Sequence, residues 1–220
     1  MIGGNIYLIE SRNRQDLADM FMRFQEYYES PVFKGRVFGV EDFKNWYARK
    51  FGSFTYCQDW DGFNIPGTVL APFKNGDFNP LTSHEQRLIN LCGGIDDNSY
   101  IIGVTPSAEY FKETVQHEFV HGAFHVNSEY KTEVINCISD FNVRPVYKGL
   151  ARMGYCDDVL IDETNAYVLV EPDTIQQYSS VGSTKKLREQ LDKISQKFFG
   201  FSILKTEILA LLARTKHISI

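Results

Sequence analysis

Between Val115 and Val126 the chain reads VQHEFVHGAFHV, and no other stretch restricts the fold as tightly. Val115, Phe119, Val120, Ala123, Phe124 and Val126 leave this helix-forming segment little room for a wet face, so it must be buried. Yet three of the five histidines, His117, His121 and His125, lie in it, with Glu118 among them. Buried imidazoles need partners, and a metal ion supplies one to each.

His117-Glu118-x-x-His121 has the geometry for that ion. Histidines four apart on a helix project from one face about a turn apart, the spacing at which two imidazoles bind one Zn²⁺. Glu118 is rotated about 100° from His117 and about 60° from His121. It can reach a metal-bound water without being forced onto the metal. Zn²⁺ lowers the pKa of its water towards about 7, and a carboxylate can take the proton as that water attacks a carbonyl. The competing account is a chance match, with both histidines hydrogen-bonded in a core. A match on a strongly apolar helix that follows a strand favours the metal.

A catalytic zinc site usually has three protein ligands and one open position. His125 starts about 12 Å from His117 along a helix axis, too far for bonds of about 2 Å, and reads as packed or supporting. The better third ligand lies in VLIDETNAYVLVEP. Glu163 opens an acidic-then-apolar helical stretch, with Ala166 and Tyr167 on its face. Ala166 allows close helix packing, and Tyr167 could stabilise a developing oxyanion. Asp162 competes for the ligand role. Glu163 is otherwise a helix N-terminal acid, and Tyr167 a core tyrosine.

These two segments together resemble the zincin metallopeptidases, particularly the gluzincin type. The resemblance covers about residues 99–172 and implies a zincin-like α+β fold. It implies that His117, His121 and Glu163 bind zinc and that Glu118 is the general base. The strict gluzincin pattern has an acid four residues after the glutamate, where this chain has Tyr167. By the same analogy, the strand Tyr100 to Val104 is expected as an edge that binds extended peptide.

The rest of the chain supplies the frame. Two hundred and twenty residues, 43% hydrophobic, suffice for one substantial core, and no linker or repeat interrupts them. One domain over 1–220 is expected, with strands in about 1–126 and a helical half in about 127–220. Strands are expected at Asn5 to Glu10 and Ser99 to Thr105, with short strands and turns around Tyr56, Trp60 and Phe63. Helices are expected from about Gln15, Glu41, Thr82, Ala108, Ser128, Pro145, Asp158, Ser183 and Ile203. That is an α+β pattern: a small mixed sheet, an active-site helix and a helical C-terminal half.

A net charge of -5 argues against a general nucleic-acid binder. No signal sequence or membrane-spanning run is evident, and the four scattered cysteines read as reduced, which suits the cytoplasm. The helix bearing Lys185, Lys186, Arg188, Lys193 and Lys197 reads as amphipathic, its basic face solvated.

The expected activity is zinc-dependent hydrolysis of peptide bonds in a peptide or protein substrate, through zinc-bound water activated by Glu118. One rival is an amidase or deformylase-type hydrolase; peptide deformylases pair HExxH with an upstream cysteine in E-G-C-L, and Cys92 lies upstream here but in NLCGG, without that context. Another is a non-catalytic binding protein with a structural metal or none.

Overall fold

The alternating residues near the start form strand β1 (Ile6–Glu10) in the computed structural model of the chain, which describes residues 5–107, 109–178 and 184–219. Ala108 and Ser183, where two helices were expected to begin, lie outside the described residues. The chain divides into a sheet-bearing unit, Tyr7–Phe111 with 217–219, and a helical unit, 5–6 with Lys112–Lys216.

In the sheet-bearing unit, α1 (Arg14–Glu29) starts at Asn13, whose side-chain oxygen accepts from the Gln15 and Asp16 amides. Next come α2 (Val40–Phe51), α3 (Tyr56–Asp59), β2 (Gly62–Pro66) and α4 (Leu70–Lys74). A capping box opens the helix expected from Thr82: the Glu85 amide donates to Thr82 Oγ1, the Thr82 amide donates to Glu85, and α5 (Ser83–Leu91) follows. Strand β3 (Tyr100–Val104) comes next, and β4 (Lys216–Ser219) returns from far along the chain.

The sheet is mixed, with order β2-β3-β1-β4. Strand β2 pairs antiparallel with β3, Gly62 opposite Val104 and Pro66 opposite Tyr100. This corrects one expectation. Tyr100 to Val104 lies inside the sheet, buried at every position, so it is no edge for peptide addition. A five-residue strand buried on both faces reads the same whether it is an edge or not.

The core of this unit is aromatic. Helix α1 lies over β3, with Leu17 and Phe21 so near Gly103 that a Cβ there would sit 2.7 Å from the Phe21 ring. Phe24 stacks on Phe73, and Phe73 on Phe78, at centroid distances of 3.7 and 3.9 Å. Above them the Arg23 guanidinium grips Glu85 twice, Nε to Oε1 at 2.5 Å and Nη2 to Oε2 at 2.6 Å. Tyr56 and Phe63 belong to this core, Tyr56 from the short helix α3 where strands and turns were expected, and Phe63 from β2.

The helical unit runs through α6 (Phe111–Val126), α7 (Ser128–Ser139), α8 (Arg144–Met153), α9 (Leu160–Val170), α10 (Pro172–Tyr178), α11 (Lys185–Phe199) and α12 (Ile208–Leu212). Helix α8 carries Pro145 in its first turn and stops at Gly154, whose φ of 112° an L-residue with a Cβ rarely adopts. The final helix is shorter than expected. Ile203–Lys205 form a single 3₁₀ turn, and α12 begins only at Ile208.

Both α6 and α9 are buried almost all round, as their apolar sequences require. Phe119 of α6 meets Phe199 edge to face, and the Gln116 side chain donates to the Ile203 carbonyl at 2.8 Å. Helix α11 buries Leu187, Leu191 and Phe199 and exposes Lys185, Lys186, Lys193 and Lys197. Among the described residues no helix is long and apolar enough to cross a membrane. The architecture is α+β.

Candidate metal centre

Two buried helices of the helical unit bring the site together. His117 and His121 stand one turn apart on α6, with Nε2 atoms 3.1 Å from each other. From the first turn of α9, Glu163 Oε2 lies 3.6 Å from His121 Nε2 and 4.0 Å from His117 Nε2. All three side chains are buried, and one ligand atom from each falls within 4.8 Å of the others. Donors held tetrahedrally by bonds of about 2.0–2.2 Å are separated by about 3.3–3.6 Å. The three separations here, 3.1, 3.6 and 4.0 Å, bracket that range, so the group could hold a metal ion.

The outer ring nitrogens face carboxylates. His117 Nδ1 is 2.9 Å from Glu171 Oε1, and His121 Nδ1 is 3.0 Å from Asp162 Oδ1. A carboxylate at that distance electrostatically favours the tautomer with its proton on Nδ1, which leaves a lone pair on Nε2. Two lone pairs 3.1 Å apart in a buried site repel unless a cation lies between them. The donor set therefore calls for shared positive charge, a proton or a metal ion.

The electrostatics agree. Burial disfavours charge on the His121 ring, but Asp162 and Glu163 outweigh it and hold its pKa well above the ordinary imidazole value. Burial likewise opposes ionisation of Glu171, and contact with His117 still keeps its carboxyl below the usual carboxylate range.

Glu118, next to His117 on α6, is buried, and its charge acts on both His121 and Tyr167. Tyr167 sets its ring edge-on to His117, centroids 4.7 Å apart, while its hydroxyl lies 3.0 Å from that of Tyr155. Burial, then the nearby Glu163 charge, push the Tyr167 hydroxyl well above its ordinary pKa, so it stays protonated.

The remaining candidates fall elsewhere. His125 is exposed and outside the converging trio. Asp162, the competitor of Glu163, stands at the far nitrogen of His121. Cys92 is fully buried in the sheet-bearing unit, where burial pushes its thiol up to about 12, and it is not one of the converging donors. All four cysteines are free.

Sequence reasoning missed Glu171, and a signal for it existed. Glu171 caps the C-terminus of α9, the end of a helix that disfavours negative charge. An acid there calls for a nearby cationic or proton-donating group. No protein-family model, curated protein or solved structure matches the chain.

Proposed function

We propose that the chain is a zinc-dependent metallopeptidase, with His117, His121 and Glu163 as metal ligands and Glu118 as general base. The convergence of those three buried donors within 4.8 Å carries the reading. Two imidazoles and one carboxylate make the donor set of a catalytic zinc site with one position left for water. A bound zinc ion supplies Lewis acidity to the substrate carbonyl and to the attacking water.

The chain's own residues supply the proton transfers. Glu118 accepts the proton of the water as its oxygen bonds to the carbonyl carbon. It returns that proton to the amide nitrogen as the C–N bond breaks, so that carboxylic acid and amine leave together. The Tyr167 hydroxyl, protonated and beside His117, is the candidate donor to the oxygen on which charge develops. Helix α6 excludes bulk water from Glu118 and both histidines.

The test is metal content and peptidase activity of the purified chain, beside Glu118→Gln. One zinc per chain is expected for both proteins, with hydrolysis lowered by about 10²–10⁴-fold in the variant. A metal-loaded Glu118→Gln protein that cleaves peptides as well as wild type overturns the mechanism. A chain that takes up no zinc overturns the whole reading.

A further inference from the structure

We infer that Asp162 and Glu171 are positioning residues of the metal centre, each fixing one histidine from behind; the inference rests on the metal reading above. Neither carboxylate is among the three converging donors. Each instead meets the nitrogen of a ligand ring that points away from the others: Glu171 Oε1 at His117 Nδ1 and Asp162 Oδ1 at His121 Nδ1.

The pairing does three things at once. It sets the tautomer, because a proton held on Nδ1 leaves Nε2 free to bind metal. It steadies the ring plane, because swinging Nε2 out of the site would also carry Nδ1 away from its carboxylate. It also raises the basicity of each ring, since the negative charge behind the imidazole strengthens its lone pair in front.

Both carboxylates are themselves anchored on α9 or at its end. Asp162 directly precedes the ligand Glu163 in the first turn, so one helical turn delivers an acid to each side of His121. Glu171 sits at the C-cap, its amide donating to the Tyr167 carbonyl at 2.8 Å. Its second oxygen accepts from Thr174 Oγ1 at 3.4 Å. The two ends of α9 thus hold the two rings, and Tyr167, between them, lies against His117. A helix that served only to present Glu163 would need neither terminal acid.

The experiment is zinc affinity by competition with a chelator, on the full chain and without reference to activity. Wild type is compared with Asp162→Asn, Glu171→Gln and Glu133→Gln; Glu133 is a surface acid paired with Lys197. Asp162→Asn and Glu171→Gln are each expected to weaken zinc binding by about 10–100-fold. Glu133→Gln, which removes the same charge elsewhere, leaves it unchanged. A second measurement needs no variant: ring ¹⁵N signals of zinc-loaded wild type are expected to show a protonated Nδ1 and a metal-bound Nε2 on both His117 and His121.

Unchanged affinity in both variants, while wild type binds one zinc, overturns the inference and leaves the peptidase reading standing. So does zinc bound through Nδ1 of either ring. Failure of wild type to bind zinc overturns both.

Discussion

His117 Nε2 and His121 Nε2 face each other across 3.1 Å inside the helical unit, so close that two free lone pairs there repel unless a proton or a metal ion is shared between them. A bound cation relieves that repulsion only while the chain is folded. Zinc is therefore expected to raise the melting temperature, by an amount that grows with its concentration. At a hundredfold excess over the dissociation constant the gain is about 2.7 kcal/mol. His121→Ala removes one donor and should abolish the shift. Melting curves with zinc and with chelator check this, and an equal shift in the variant refutes the site.

Arg23 and Glu85 form a buried bidentate pair, 3% and 1% exposed, and Glu85 also closes the capping box of α5. Glu85→Leu leaves the guanidinium charged among aromatic rings and should cost about 3–5 kcal/mol. Replacing both, as Arg23→Met with Glu85→Leu, should recover much of that loss, because no charge is then stranded. Urea unfolding of the single and double variants measures it. A double variant less stable than Glu85→Leu alone contradicts the prediction.

Gly67 donates its amide to the Ser99 carbonyl at 2.8 Å and passes beside the backbone at Asp96. A Cβ on residue 67 would sit 2.3 Å from the Asp96 carbonyl oxygen, against backbone with little freedom to yield. Gly67→Ala is expected to destabilise the fold by at least about 1–3 kcal/mol. Gly94→Ala, with open space around its Cβ, is the control. Equal melting temperatures for the two variants would count against the close approach.

Glu26 has its pKa raised from 4.5 to about 7, first by burial, against the hydrogen bonds of Ser30 and Tyr56 and the Lys50 charge. The folded chain then holds a proton that the unfolded chain releases near 4.5. Stability is full below that value and falls as pH rises towards about 7, by at most about 3 kcal/mol. Glu26→Gln cannot ionise, so its stability relative to wild type should improve between pH 5 and pH 8. Urea midpoints at both values test this, and a difference independent of pH refutes it.

What the chain declares locally, it declares well. Thr82 with Glu85, and Gly154, act within a turn of their own position, so such caps and helix ends are legible in the sequence. The meeting of His117, His121 and Glu163 was legible for a related reason. Two ligands share one helix, and the third sits in an acidic turn that opens an apolar one.

Long-range pairings were not legible. Nothing near Tyr100 says that strands will flank β3 on both sides, because its neighbours come from residues 6–10 and 62–66. Helix α10 escaped notice because Pro172 resembles a stop after α9, whereas proline is equally at home in a first helical turn. Glu171 was hidden by the same junction.

Strand β4 completes the sheet beside β1, and there His217 Nε2 lies 3.1 Å from Glu10 Oε2, 207 positions away in sequence. On a ribosome adding about 5–20 residues per second, that edge of β1 waits roughly 10–40 s for its partner. During that interval β1 carries a row of unpaired amides and carbonyls open to any passing strand. That edge closes only once residues 216–219 have emerged and paired with it.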